Sequence, residues 1–525
     1  MDTRSSQTRE SRCDVTLSSG GQVLETLKLL HLQTEQRVNG IPSATLALSV
    51  PGNAKQELST NKEIAQCQPG VPMSISVYDE TLGKRIELFS GVITSCNLTL
   101  SQGQAELMLT LKHSLGQLDN VIRSQVFTDK TDEEIIHALC PASVAEIKNQ
   151  ASMNIRHEQR VQFRCSDWRM LRHCLDACGA WLIAEPSTVR IIQPALAAQP
   201  DHDLQAQDGP LMERARWQFS AVDQPADLKL MAWDIDTQSL VSASARQATL
   251  GSGALDPGKG KLLSQTPWVL GYGISPSAEA LRCQADSLML NLQLNRVQGE
   301  FTVQGTAKYQ LGQTLKLSGF GLDFDGAGIM TAVVHTIVPS RWTTNVKIGD
   351  RGLAPAATPL PQVSGLLPGS VADYDRNDPK NFYRLLIHLN VLDSDNNKNQ
   401  LWARFAMPYA TKGSSFICYP EPGDEVVVGF FEDNPTYPVI VGSLHNPIKP
   451  PAVKPGKDEG LKGWKTDELQ LQIDTRQQNL SLQAGKKCAM TLDKSKVVIL
   501  KCDNGMTLEG KKGITLKGDK IDLTK

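Results

Sequence analysis

Three clusters of side chains in this 525-residue chain carry atoms suited to chemistry. His173, Cys174 and Cys178 lie together in CSDWRMLRHCLDACGAWL, where one imidazole and two thiols four residues apart offer ligands to zinc. A tetrahedral site needs further ligands, and no matching pair occurs elsewhere, so these residues read as structural packing. Glu421, Asp424 and Glu425 gather three carboxylates in YPEPGDEV, a spacing that suits a general acid and base. They fall in a turn ahead of a strand with no nucleophile beside them, and read as structural too. The third cluster, DSDNNKNQLWAR from Asp393 to Arg404, opens like a calcium loop. Its sixth position is Lys398 where glycine is required, and its twelfth is Arg404 where glutamate should stand, so a polar hairpin loop is expected. GxSxG, HExxH, Walker and GxGxxG signatures do not occur. The expectation is no catalytic residue, no metal site and no cofactor.

The elements that must hold these groups are mainly strands. SATLALSV (Ser43 to Val50), MSISVYD (Met73 to Asp79) and AELMLTLKH (Ala105 to His113) alternate with period two. RIELFSGVITSCNLTL reads as two β runs with Gly91 between them as a bulge or tight bend. Residues 1–115 are therefore expected to form a first hub β-barrel. In 116–215 the period changes. Thr131 and Glu134 make a capping box before Ile135, Ile136 and Leu139. Ser166 can cap a second helix whose Trp168, Leu171, Leu175 and Cys178 share a face, with Gly179 suited to the residue after its end. WLIAE and VRII then pair across Pro186 and Ser187, giving an α+β insert. Residues 216–352 read as a second hub β-barrel. DLKLMAWDID opens it, a helix runs from Ser275 through Pro276 to about Leu294, and GEFTVQGTA, QTLKLSGFG, GIMTAVVHTIV and RWTTNVKIG follow as strands. LAPAATPLPQ (Leu353 to Gln362) is a linker. Residues 363–450, with YRLLIHLNVLD, LWARFAMPYA, SSFICYPEPGDEVVVGFFED and YPVIVGSLHN, suit a small five-stranded barrel of the oligonucleotide/oligosaccharide-binding (OB) type.

Composition narrows the function classes. A net charge of −2 gives no argument for nucleic acid or an anionic membrane as partner. The barrel's distinctive loops are acidic (Glu421, Asp424, Glu432, Asp433), and Phe430, Phe431 and Tyr437 read as packing residues, so its fold does not imply nucleic-acid binding. The first residues lack an apolar core, and no apolar run approaches the roughly 20 residues of a membrane span. Synthesis and folding in the cytoplasm are expected. The 11 cysteines, odd in number and without CxxC pairs, then read as free buried thiols.

The tail repeats. Apolar pairs fall at Leu480/Leu482, Met490/Leu492, Val498/Leu500, Met506/Leu508, Ile514/Leu516 and Ile521/Leu523, with three steps of eight residues between Met490 and Ile514. Each unit offers two inward residues and cannot bury its own face, so it must stack or associate. Three chains around one axis would enclose the stripe. Residues 465–525 are thus expected to form a trimeric β-prism needle, about 30 Å long at ~4.8 Å per layer. Lys511, Lys512, Lys517, Lys520 and Lys525 read as a solubilising face near its tip, with a membrane-headgroup role as the alternative.

This order of units resembles the VgrG family, the hub-and-spike proteins of contractile injection systems, which are similar to the hub and needle proteins of phage tails. The segments that carry the likeness include Trp402, Pro420, Gly423, Asp424, Glu425, Asp433, Pro435, Gly442 and Asn446 of the small barrel. In the hub, RVNGIPSATLAL, ELFSGVIT and RVQFRCSDWRMLRHCLDACGAWL resemble the Rhs-associated version and that of extracellular phage-tail-like particles. The resemblance implies a homotrimer seated on a six-fold tail tube and baseplate, a PAAR-like tip protein at the far end, effector cargo, and mechanical piercing of a target envelope. It leans towards an extracellular particle over type VI secretion. Only about Pro447 to Glu468 separates barrel and needle, too short for an enzyme domain, so a bare spike without enzymatic activity is expected. Lys520, Ile521, Asp522, Leu523, Thr524 and Lys525 are the expected docking platform for the tip. A glycan-binding or glycan-hydrolysing trimeric fibre is the alternative, although no Trp, Tyr or Phe follows Trp464.

Overall fold

The computed structural model describes residues 13–524 apart from 52–57, 59, 187, 208–211, 275, 276, 351–361, 394, 396, 397, 457 and 458. Ser187, the helix start at Ser275 and Pro276, linker residues 353–361 and Lys525 therefore lie outside the described residues. The chain divides into two units, Met1–Gly442 and Ser443–Lys525.

In the first unit the hub strands join in a continuous sheet. Its path runs Met212–Phe219, Val297–Gln304, Arg341–Ile348, Gly326–Val338, Lys28–Arg37, Ser43–Val50, Gln104–Lys112, Lys84–Ser101, Pro72–Asp79, Val15–Ser19 and Gln22–Val23. Strands expected in the first and second hub barrels are joined in this one sheet where Lys28–Arg37 pairs antiparallel with Gly326–Val338, Gln36 opposite Val333 and Gln33 opposite Thr336. Period-two alternation sends Leu46, Leu48, Ile75, Leu107 and Leu109 into one core, and Phe301, Leu315, Met330 and Val346 into another. Each such side chain stabilises the fold by about 1.5–3 kcal/mol relative to exposure.

Gly91 does not separate two strands. Lys84–Ser101 runs through it unbroken, and the ladder slips on either side, between Ile75/Ser76 on one neighbour and at Ile93/Ser95 along the strand itself. The glycine is required because the Lys112 carbonyl oxygen would stand 2.3 Å from a Cβ at this position.

The insert forms as its caps dictate. Thr131 accepts from the Glu134 N–H while the Glu134 side chain accepts from the Thr131 N–H, opening helix Asp132–Leu139. Ser166 caps Asp167–Cys178, and Gly179 closes it at φ 63°, the left-handed region that glycine tolerates. Leu171, Leu175 and Cys178 are buried and Trp168 packs partly buried against them. Trp181–Ala184 and Thr188–Ile192 pair as the expected hairpin. The long helix of the second lobe is Ala278–Arg296, starting later than the sequence suggested because Ser277 supplies the cap, accepting from the Ala280 N–H. It lies between two cores: Leu281, Ala285 and Met289 face Leu228 and Leu230, while Leu290 and Leu294 join the hub core.

The small barrel closes in the order Leu367–Val371, Leu385–Leu389, Gln400–Phe405, Pro438–Leu444, Glu425–Phe430. Its first strand, LPGSV, carries a proline and a glycine and gave no period-two signal. The second unit holds an antiparallel meander of Leu461–Lys465, Leu469–Asp474, Asn479–Ala484, Cys488–Leu492 and Val498–Cys502. Among the described residues, none of 503–524 is in a strand.

Candidate assembly surface

The meander is apolar mainly on one face, Ile499 and Ala489 being the apolar residues of the other. Its register aligns Trp464, Leu471, Leu482, Met490 and Leu500 in one row, and Ile473, Leu480, Leu492 and Val498 in the next. The opposite face carries Gln470, Gln472, Ser481, Gln483, Thr491 and Lys501. An antiparallel sheet with this pattern normally rests on a core. Here the apolar side chains face outwards, from 36% exposed at Met490 to 59% at Leu469, with Leu480 half-buried. Trp464, Leu469, Leu471, Leu482, Met490 and Leu500 line a groove of about 500 Å³ that Met506 also borders. Beyond the meander, Met506, Leu508, Ile514, Leu516, Ile521 and Leu523 are all exposed, Leu523 at 91%. Lys520 and Asp522 pair at 2.7 Å, and Thr524 is exposed beside Leu523. The sequence reading began the repeat at Leu480; Leu469, Leu471 and Ile473 belong to the same face, and the alternation of LQLQID was the signal for them.

Two cysteines depart from the expected free thiols. Cys488 and Cys502 face each other across the last hairpin and are disulfide-bonded, with Cα atoms 4.2 Å apart. The remaining expectation of buried thiols also fails at Cys418, which is exposed, and at Cys13, Cys96 and Cys283, which are half-buried. Spacing along the chain reports neither cross-strand register nor depth.

The barrel residues singled out by the sequence are mostly backbone organisers. The Glu421 N–H donates to Asp424 Oδ2 at 2.9 Å, and the Asp424 N–H returns to the Glu421 carbonyl at 2.9 Å. Gly423 sits in this turn at φ 78° and donates to the Val371 carbonyl at 2.8 Å; Glu425 begins the next strand opposite Ser370. Pro420 is buried and its carbonyl accepts from the Tyr374 hydroxyl. The Asp433 carbonyl accepts from Val363, Pro435 is buried, and Gly442 lies half-buried in the closing strand. Asn446 Oδ1 accepts from the Ile448 and Lys449 N–H groups.

Trp402 marks a contact that sequence reading missed. Gln159 of the insert accepts from the Trp402 N–H at 2.9 Å, and its amide donates to the carbonyls of Trp402 and Thr436. Arg384 of the barrel bridges Glu158 of the insert and Asp378. Val126, Val161 and Phe163, from the paired insert strands Ile122–Thr131 and Arg156–Ser166, enter the barrel core. The loop that opened like a calcium site serves this docking: Asp393 donates to the Ser124 carbonyl and the Lys398 carbonyl accepts from Val126, both at 2.7 Å.

The His173, Cys174 and Cys178 cluster surrounds a buried ion pair. Asp132, 1% exposed, pairs with Arg160 and with His157 at 2.9 Å. Burial pushes the Asp132 carboxyl up, but Arg160 and His157 outweigh it and hold it below its ordinary value. Burial drives the Cys174 and Cys178 thiols well up, with Asp132 adding to the effect. Cys178 Sγ donates to Asp132 Oδ2 at 3.5 Å, so these thiols are protonated, opposite to the thiolate a metal requires. Burial, with Arg160 next, pushes His173 down to about 3.

Residues 10–339 match the family model described as the Alg8 N-terminal domain, and residues 367–445 match that of the type VI secretion system/phage-baseplate injector OB domain. No curated protein matches the chain. Among solved structures, the E. coli c3393 protein is described as a component of the type VI secretion system with structural similarity to T4 bacteriophage tail proteins gp27 and gp5. It superposes with a TM-score of 0.52 at 13% identity, over 82% of this chain and 99% of that one. The half-lidded Francisella PdpA-VgrG complex gives 0.60 at 9% identity, over 93% and 88%, and the lidless PdpA-VgrG complex 0.58 at 10%, over 93% and 98%. At these identities the likeness is one of fold: a mainly β hub followed by an OB-type barrel, the architecture of VgrG-like and phage-tail proteins. Among the described residues, no helix is long and apolar enough to cross a membrane.

Proposed function

From the premise that the chain belongs to the Alg8 N-terminal domain family and carries an injector-type OB barrel, we propose that it is the homotrimeric central spike of a contractile injection machine. The observation that carries this reading is the one-faced apolar meander, whose inward row stands in solvent in a single chain. Three copies around an axis bury the rows Leu480/Leu482, Met490/Leu492 and Val498/Leu500, and the extended residues Met506, Leu508, Ile514, Leu516, Ile521 and Leu523 continue them by pairing between chains. Strands that hydrogen-bond only to other copies have no partner in one chain, which accounts for the absence of strand among the described residues of 503–524.

In this role the hub seats on a tail tube and baseplate, and the segment Lys520 to Thr524 receives a PAAR-like tip protein through exposed Ile521 and Leu523. The action is mechanical, driven by contraction of the surrounding machine, with no catalytic step in this chain; effector cargo rides on the assembled particle. The polypeptide is made and assembled in the cytoplasm and leaves as part of that particle. Light scattering on the purified chain tests the central claim. Three times 57.4 kDa is the expected mass. A monomer at micromolar concentration overturns it.

A further inference from the structure

We propose that Cys488 and Cys502 form a redox staple that fastens the final strand of the meander, and that reduction releases this strand together with the residues after it. Four observations meet here. Val498–Cys502 is the edge strand, hydrogen-bonded among the described residues to Cys488–Leu492 alone. Its Val498, Ile499 and Leu500 are exposed, so burial within the chain does not hold it down. One end of the hairpin is closed by a turn in which Asp493 Oδ1 accepts from Ser495 and Val497 and the Asp493 N–H donates to the Val497 carbonyl. The other end is where an edge strand, paired on one side, frays first. There the disulfide joins the first residue of one strand to the last of the other, beside a hydrogen bond from the Asp503 N–H to the Lys487 carbonyl. The cross-link thus sits at the open end of this hairpin, immediately before the described residues 503–524, which are in no strand.

The chemistry is exchange with a small-molecule disulfide. One thiolate of the pair attacks a sulfur of R–S–S–R, forming a mixed disulfide and expelling RS⁻. The second thiolate attacks the protein sulfur of that bond and expels the other RS⁻. Two cysteine thiols are oxidised, the small disulfide is reduced to two thiols, and the protons pass to the expelled thiolates. A reducing cytosol keeps the pair as dithiol and an oxidising exterior closes it. This timing rests on the reading of a particle that leaves the cell: in the cytosol the reduced strand is held only by the enclosing copies, and outside the disulfide adds a covalent hold within each chain.

The test uses the full chain. After treatment with glutathione disulfide and unfolding in denaturant, alkylation should reach nine cysteines without reductant and all eleven with it, and peptide mapping should recover the 488–502 link. Native trypsin cleavage at Lys494, Lys496 or Lys501 should run roughly tenfold or more faster in dithiothreitol than in the oxidised form. The Cys488→Val/Cys502→Val variant, which keeps the apolar volume, should cleave at the fast rate in both conditions. Eleven alkylated cysteines after oxidation, or equal cleavage rates in the two redox states, overturns the staple. Light scattering on the same samples reports the oligomer separately, so a failed trimer and a failed staple give different results.

Discussion

At the scale of single residues, the insert's buried charges govern the response to acid. An unfolded histidine titrates near 6.5, but His173 in the fold titrates at about 3. Between those values the unfolded chain takes up a proton that the folded chain refuses. His173 therefore costs nothing above about pH 6.5, and stability falls as pH drops through the window by about 1.4 kcal/mol per pH unit. Asp132 acts at lower pH with the same sign. Its depressed carboxyl stabilises the fold above the ordinary carboxylate range, and that contribution is lost as pH falls through the folded value. His173→Gln should flatten the loss between pH 6.5 and 4.5 in urea unfolding; equal losses in variant and parent would show that His173 is not held neutral. The ion pair predicts asymmetric mutants. Arg160→Met leaves Asp132 charged and buried and should destabilise by about 3–5 kcal/mol, whereas adding Asp132→Asn should recover much of that loss in thermal unfolding.

Among the elements, what was legible depended on whether the information was local. Thr131 with Glu134, Ser166 and Gly179 were readable because caps and left-handed closures are satisfied within a few residues. Alternation gave the apolar face of the meander, because side-chain direction follows from strand geometry alone. Partners were not readable. The sheet linking Lys28–Arg37 to Gly326–Val338, the Cys488–Cys502 pairing and the seating of the barrel on the insert all join segments whose meeting is decided by tertiary packing. LPGSV was missed because closure of the barrel, not propensity, makes it a strand. The insert–barrel contact yields a prediction of its own. Gln159→Leu strands the part-buried Trp402 N–H and the Trp402 and Thr436 carbonyls, and an unpaired polar group costs up to about 1–3 kcal/mol where water does not reach it. Amide exchange at Trp402 should quicken by roughly tenfold or more while exchange in Asp167–Cys178 stays unchanged. Unaltered protection at Trp402 would mean that Gln159 does not anchor the barrel.

For the whole molecule, the question is whether the exposed apolar face is a surface or an unfinished interior. Soluble proteins seldom leave a contiguous apolar patch of this kind in water, and patches of this kind mark association. The far residues discriminate best, because Ile514 and Leu516 make no part of the single-chain meander and are exposed at 52% and 61%. If each chain stands alone, aspartates at both positions remain solvated and the melting temperature does not change. If three chains enclose them, Ile514→Asp with Leu516→Asp brings six carboxylates together at the axis, and each buried, unpaired charge costs several kcal/mol. The double variant should then sediment below the trimer mass or lose its trimer at low micromolar concentration. Lys511→Asp with Lys512→Asp, which alters two exposed outer charges one turn away in sequence, should assemble as the parent does. Assembly and melting of the Ile514/Leu516 variant identical to the parent would place those residues outside any shared interior and would remove the distal half of the proposed needle.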